Sequence, residues 1–371
     1  VAKFRQYITE NVLDEAKRRI HHIFDIADHV VVSFSGGKDS LVVLHLVHEV
    51  QQERGIKGPV NVSFYDEELI PDTVIDFVNE YRQKPWVNML WWAVPMRSEK
   101  YVLGDVRTYV QWDPNRPHVR PLPEWALTAE KLGLPERKAV PQYVIETLIS
   151  QRFKGKVAIL NGIRSDESHY RLRASLNKLS ENYINAGKHA NVNFCKPIYD
   201  WSQDDVFRYF YDRGIRYCGL YDSQSVIGGS LRVSTPLHSQ SAKRFGQWRE
   251  LDPDFYDRVL QVFPEMEVQE RYYDEYDRDR MVWEYADGGL DGVDRYVEDH
   301  VPDAKQKALA HAKIDVVRTY IANNPRKAGA YPTEYVLECI VKGNFRRGIM
   351  PLDNDEKAQF ARRMERLGRR G

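Results

Sequence analysis

The sequence predicts an α/β protein: a doubly wound, mostly parallel sheet followed by a mainly helical C-terminal region. Three observations carry this. Short β-branched runs alternate with helix-period segments through the first 215 residues. The first such run, "VVVSFSGGKDSLVVLHLV" from Val30 to Val47, passes through glycines straight into a helical pattern. Past Gly246 the strand signal fades and Tyr-, Asp- and Arg-rich helical segments take over. A boundary is therefore expected between residues 1–245 and 246–371.

The elements follow in order. Ile8, Val12, Ala16, Ile20, Ile23 and Ala27 recur at three- and four-residue spacing, an amphipathic helix with Thr9 as its expected N-cap. His29 to Phe34 reads as a buried strand, and Leu41 to Val50 as a helix packed on a sheet. Gly55 and Gly58-Pro59 end that helix. Val60 to Asp66 is a second strand with carboxylates at its C-terminal end. Thr73 to Tyr81 reads as a helix and Val87 to Pro95 as a third strand. Trp112 to Pro141 is rich in Pro and reads as an inserted excursion. Gln142 to Phe153 is helical, and Lys156 to Arg164 a fourth strand. Asn193 to Gly214 gives a short strand, then a helix opening near Ser202. There Ser202 and Asp205 make an S-x-x-D cap.

Composition narrows the function. The 371 residues are 42% hydrophobic and 29% charged, with a formal net charge of zero, unlike a strongly basic nucleic-acid binder. The charge is uneven. Glu250 to His300 holds 17 acidic and 5 basic residues, and Val301 to Gly371 holds 15 basic and 8 acidic. Two readings follow: helical faces docked on each other, or a basic end that contacts nucleic acid or an acidic partner. Cys195, Cys218 and Cys339 form no CxxC pair, so neither a disulfide framework nor a zinc site is expected. No signal peptide and no long apolar run is present, so a cytoplasmic location is expected. The chain begins at Val1 without Met, so an N-terminal residue is expected to have been removed or left out.

The chemistry starts at Ser35-Gly36-Gly37-Lys38-Asp39-Ser40. Glycines allow backbone conformations closed to other residues and let N–H groups approach an anion. The helix beginning near Asp39 points its partial positive charge into the same space. Lys38 and the hydroxyls of Ser33, Ser35 and Ser40 add donors. The spacing matches neither G-x-x-x-x-G-K-[ST] nor G-x-G-x-x-G.

The hexapeptide instead resembles the S-G-G-x-D-S signature of the PP-loop (adenine nucleotide alpha-hydrolase-like) superfamily. Further segments resemble its phosphoadenosine phosphosulfate (PAPS) reductase branch in order: "SFYDEELIPDT" from Ser63, "NGIRSDESHYR" from Asn161, "KPIYDWSQDDVFRYF" from Lys196 and "GIRYCGLYD" from Gly214. The likeness covers roughly residues 10 to 240 and implies a PP-loop/HUP-like fold. It implies an adenine nucleotide as ligand, ATP with Mg2+ or PAPS. Its phosphates would lie on Ser33, Ser35, Gly36, Gly37, Lys38, Asp39, Ser40, Gly162, Arg164 and Arg171. Arginine forks suit phosphate or sulfate oxygens, and Arg164 follows a strand end, where open α/β sheets bind ligands. Asp39 is a candidate for Mg2+ held through the phosphates, or a helix cap. Asp66, with Glu67 and Glu68, would border the adenosine pocket. Asp200 and Trp201 read as structural.

The sequence departs from the branch at its cysteines. The reductases carry a nucleophile in Glu-Cys-Gly-[IL]-His; here only Glu338-Cys339-Ile340-Val341-Lys342 compares, and it reads as an amphipathic helix. An inert Cys339 is expected. The paired cysteines of an iron–sulfur cluster are missing. "VIGGSLRVSTPL", Val226 to Leu237, places Arg232 where the branch often has cysteines, either as a second anion contact or in a plain loop. This variant resembles the subgroup of the immunoglobulin-binding regulator IbrA, found in bacteria and phages and associated with a ParB/sulfiredoxin-type partner.

Three functions follow. The first is an ATP-using enzyme that cuts between the α- and β-phosphates, with Lys38, Arg164 and Asp39 at the chemistry. The second is a thioredoxin-dependent PAPS reductase. The third is a non-catalytic nucleotide-sensing or DNA-associated regulator.

Overall fold

A computed structural model describes residues 9–103, 105–134, 139–141, 143–167, 171, 181–226, 235–242, 245–272, 283–343, 345 and 348–366. The chain divides into two compact units, residues 1–99 with 108–264, and residues 100–107 with 265–371.

The first unit is built on a seven-stranded sheet. Its strands are β1 (His29–Ser33), β2 (Val60–Tyr65), β3 (Val87–Ala93), β6 (Leu127–Thr128), β7 (Val157–Leu160), β8 (Ile184–Ala186) and β9 (Val192–Cys195), in the order β6-β3-β2-β1-β7-β9-β8. Every pairing is parallel except β8 on β9. β1 is central, with Val31 beside Asn61 on one side and Ile159 on the other. Its run Val30-Val31-Val32 is buried, as a strand covered on both faces requires. β4 (Met96–Val102) and β5 (Asp105–Gln111) form a separate two-stranded sheet that periodicity did not reveal.

Helices α1 (Val12–Ile26), α2 (Lys38–Glu53), α3 (Asp72–Arg82), α4 (Val144–Arg152), α5 (Gln203–Arg213), α6 (Leu220–Val226) and α7 (Pro253–Val262) complete the unit. α2 packs against α1, α5, β1 and β2, which explains its apolar residues on most faces. The N-cap of α1 is Asn11, not Thr9: the Asn11 side chain accepts from the Leu13 N–H at 2.8 Å, while the Thr9 hydroxyl bonds to Glu10. Ser202 and Asp205 form the expected capping box. Arg19 of α1 makes two 2.7 Å bonds to Asp200, and the Trp201 indole donates to the Val12 carbonyl at 3.0 Å. The Asp-Trp turn therefore pins α1 to the sheet's end.

The division between units falls after Pro264, later than the strand signal suggests. α7 buries Phe255, Tyr256 and Val259, so helical sequence beyond Gly246 still belongs to the sheet's unit. The hairpin tip, residues 100–107, groups with the second unit through Lys100 on Glu265 and the Leu103 N–H on Gln269.

The second unit contains α8 (Glu265–Tyr272), α9 (Gly289–His300), α10 (Ala304–Asn323), α11 (Thr333–Val341) and α12 (Asn354–Arg366). Val293, Val297, Ile314, Val317, Leu337 and Ile340 share its core. The acidic and basic segments meet here. Asp291, Asp294 and Glu298 of α9 face Lys307, His311 and Arg318 of α10, with ion pairs of 2.6–3.0 Å. This is the docked-faces reading of the uneven charge.

Glu49 of α2 ties three helices together. It pairs with Lys17 of α1 at 2.8 Å and Arg213 of α5 at 2.6 Å, and accepts from the Tyr209 hydroxyl at 2.7 Å. Burial alone would raise its carboxyl, but these three partners hold it down at about 2. A depressed carboxyl contributes stability above its unfolded value and loses it as pH falls through the folded one. Glu49→Gln should cost about 2 kcal/mol at pH 7 in denaturant melts. The gap from the parent should close between pH 5 and pH 2; a gap that persists at the acid end contradicts this account.

Candidate functional site

The loop after β1 reaches α2 through four residues. Gly36 has a φ of +76°, and a Cβ there would meet Val74 Cγ1 and Val78 Cγ2 of α3 at 2.9 Å. Glycine is required on both counts. Ser35 and Ser40 lock the turn: their hydroxyl oxygens lie 3.1 Å apart, and the Ser35 N–H donates to Ser40 Oγ at 3.2 Å. Gly37 is the N-cap and offers no side chain, so the first turn of α2 opens onto the loop.

Gly162 follows β7. A Cβ on it would lie 2.5 Å from the Asp39 carbonyl carbon and the Ser40 nitrogen. Only glycine lets this strand end rest on the first turn of α2. Two residues later Arg164, 3% exposed, donates from Nε to Asp39 Oδ1 at 2.7 Å and from Nη1 to Asp166 at 2.7 Å. Lys38 Nζ takes the other Asp39 oxygen at 3.2 Å. Lys38, Asp39, Arg164 and Asp166 thus form one alternating chain of charges around the helix N-terminus.

Tyr221 of α6 closes the other side. Its hydroxyl accepts the Lys38 N–H at 3.0 Å, and its ring lies 5.4 Å from Lys38 Nζ. Burial pushes its phenol well above the usual range. Sequence reasoning placed Tyr221 in a family-like segment but gave it no role. A hydroxyl reaching across 183 residues to a backbone amide leaves no spacing signal.

Structure brings together Ser35, Gly36, Gly37, Lys38, Asp39, Ser40, Gly162 and Arg164. Ser33 ends β1 and pairs in register with Ser63. Arg171 is ion-paired with Glu167. Arg232, together with Gly228 and Gly229, lies outside the described residues.

Two of the acidic candidates are engaged by other side chains. Both Asp39 oxygens are held by cations, and among the described residues no group of three His, Cys, Asp or Glu could hold a metal. Asp39 here neutralises Lys38 and Arg164. Asp66 is fully buried, not at a pocket edge. Its carboxylate accepts from the Trp91 indole at 2.8 Å and the Glu68 N–H at 2.9 Å, and pairs with Arg120. Glu68, equally buried, takes Arg116 through both oxygens at 2.7 and 2.6 Å. These two pairs fasten the Pro-rich excursion to the end of β2. Glu67, between them, keeps part of its surface, and burial raises its carboxyl.

Cys195 and Cys218 are buried and Cys339 is half-buried. Cys195 lies in β9, and burial raises the Cys218 thiol. Cys339 in α11 packs on the second unit's core, and burial pushes its thiol to about 11.

Residues 29–259 match the family model of the phosphoadenosine phosphosulfate reductase domain. The chain belongs to that family. Its PAPS reductase-like PP-loop domain is the first unit's sheet with its loop and helices. Among relatives, the Escherichia coli uncharacterized protein YbdN is 27% identical over 259 residues, 66% of this chain and 63% of YbdN. The match thus spans less than two thirds of YbdN. An adenosine 5'-phosphosulfate reductase of Staphylococcus haemolyticus is 23% identical over 64% of this chain and 86% of its own length. Among solved structures, Candida glabrata FMN adenylyltransferase with FAD and inorganic pyrophosphate superposes with a TM-score of 0.38 and 15% identity. That superposition covers 57% of this chain and 58% of that one.

If Asp66 belongs to the scaffold, Asp66→Asn should cost about 3–5 kcal/mol by leaving Arg120 buried without its counter-charge. Ligand affinity of the remaining folded fraction should be unchanged in a calorimetric titration. A lowered affinity at undiminished stability would return Asp66 to the binding surface.

Proposed function

We propose that this family member binds ATP with its Mg2+ and transfers the adenylyl group to an acceptor. One observation carries the reading: Gly37, Lys38 and Arg164 converge on the open first turn of α2, with Gly162 holding the two halves in contact. Backbone amides, a lysine and an arginine are what a polyphosphate needs. Glu67, half-buried where Asp66 and Glu68 are fully buried, is the carboxyl of its trio that this reading sets beside the adenosine.

The step needs no protein nucleophile. An acceptor's electron pair forms a bond to the α-phosphorus. The bond to the bridging α–β oxygen breaks, and pyrophosphate leaves with that electron pair. Water as acceptor gives AMP. The protein's work is positioning and charge stabilisation: Lys38 and the α2 amides hold the departing pyrophosphate, and Arg164 braces the strand end. Mg2+ enters as the nucleotide's counter-ion and screens the phosphate charge.

The name of the Staphylococcus relative favours a second reading, reduction of an adenylyl sulfate. That route needs a thiolate to attack sulfur and displace the nucleotide. Cys339, with its thiol pushed to about 11, is a poor thiolate source at neutral pH. The regulatory reading takes its nucleic acid from the basic C-terminal segment and its ParB/sulfiredoxin-type partner from the IbrA-like resemblance. Lys307, His311 and Arg318 in that segment are already answered by carboxylates.

The test uses α-labelled ATP with Mg2+. Pyrophosphate release with labelled AMP or a labelled acceptor is expected, and Cys339→Ser should leave it intact. Lys38→Ala should weaken ATP binding at least about tenfold through loss of a charge-assisted bond. Sulfite release from adenylyl sulfate or PAPS that vanishes in Cys339→Ser would overturn the assignment.

A further inference from the structure

We infer that Tyr221 is a phosphate ligand, donating its phenolic hydrogen to an oxygen of the anion bound at the α2 N-terminus. This deepens the nucleotide reading above and rests on it.

Three observations point there. Tyr221 is 4% exposed, so its hydroxyl needs partners inside the protein. The oxygen accepts one hydrogen bond, from the Lys38 N–H at 3.0 Å. Among the described residues, nothing accepts the hydroxyl's own hydrogen. The hydroxyl therefore stands on the first turn of α2, beside Lys38 and Asp39, with one donor left over.

The N–H of Lys38 is one of the orphan amides that a helix N-terminus offers an anion. In this chain Tyr221 takes that amide and hands on a donor of its own, further out. Burial holds the phenol protonated across the neutral range, so the donor is always present. Its ring 5.4 Å from Lys38 Nζ also steadies the lysine. A neutral donor suits this place. The surrounding chain of Lys38, Asp39, Arg164 and Asp166 is already balanced, and a third cation would have no counter-charge once the ligand left.

The experiment titrates inorganic pyrophosphate, ATP and adenosine into the parent chain and Tyr221→Phe, with Mg2+ present. Phenylalanine keeps the ring under Lys38. Pyrophosphate and ATP affinities are expected to fall about tenfold or more, the usual loss for a hydrogen bond to a charged group. Adenosine affinity is expected to stay the same, which a merely structural role would not allow. Equal or tighter pyrophosphate binding by the variant overturns the inference while leaving the nucleotide reading intact. So does an adenosine loss equal to the pyrophosphate loss. No binding of ATP or pyrophosphate by the parent chain overturns both. If Tyr221→Phe does not fold, a fluorinated tyrosine at 221 keeps the hydroxyl but ionises more readily. Pyrophosphate affinity should then fall as pH rises, with the parent flat over the same range; no such fall overturns the inference.

Discussion

The site depends on one steric contact. Gly162, just past β7, rests on the Asp39–Ser40 peptide of α2 with no room for a Cβ. β7 and β1 are neighbouring parallel strands, so their C-terminal ends lie side by side. That adjacency alone would leave the loops they feed a side chain apart. The missing Cβ removes the gap, and it brings Arg164, two residues on, against Asp39. A backbone contact has no rotamers, so the arginine's placement relative to the helix N-terminus is set by main chain and not by flexible side chains.

The strand end on the other side of β1 is set by opposite means. Asp66 and Glu68 are fully buried carboxylates, each with an arginine from the excursion. Such pairs contribute little net stability relative to apolar packing, but losing one partner is costly. Their value is in fixing geometry. Glu68 adopts a φ of +64°, uncommon for a residue with a Cβ, and Arg116 together with the Trp112 and Val119 N–H groups holds it there. The strained turn and the paired arginines bring residues 112–120 over the end of β2. Glu67 is left as the trio's half-buried member.

The fold was largely legible because its signals are local. β-Branched runs, the glycine loop and the Ser202–Asp205 box each occupy a few consecutive residues, and each element formed near its expected bounds. What escaped were long-range choices. β4 and β5 carry Arg97, Glu99, Lys100 and Arg107, a polar pattern that does not announce a hairpin. Thr9 and Asn11 are both good caps, and only the helix register decides between them. Lys38 and Arg164, singled out by motif, do meet on Asp39, but the fate of three consecutive acidic residues was not legible. Asp66, Glu67 and Glu68 look alike in sequence; which of them turn inward depends on arginines about 50 residues away. Tyr221 escaped for the same reason.

The charge arrangement also bears on the proposed anion site. Two cations buried at a helix N-terminus would repel each other and destabilise the chain without ligand. Asp39 and Asp166 neutralise them, so the chain folds around a balanced group. An incoming phosphate must then compete with Asp39 for Lys38 and Arg164, and the gain from either cation is a difference between two carboxylate-like partners. The Ser35, Gly37 and Lys38 N–H groups are bonded to hydroxyl oxygens of Ser40, Ser35 and Tyr221, neutral partners that a phosphate displaces more readily than a carboxylate. On the proposed reading, amides and cations alike exchange a protein partner for a phosphate oxygen, the amides a hydroxyl and the cations a carboxylate. That exchange fits a polyphosphate, whose several oxygens can take the amides and both cations at once.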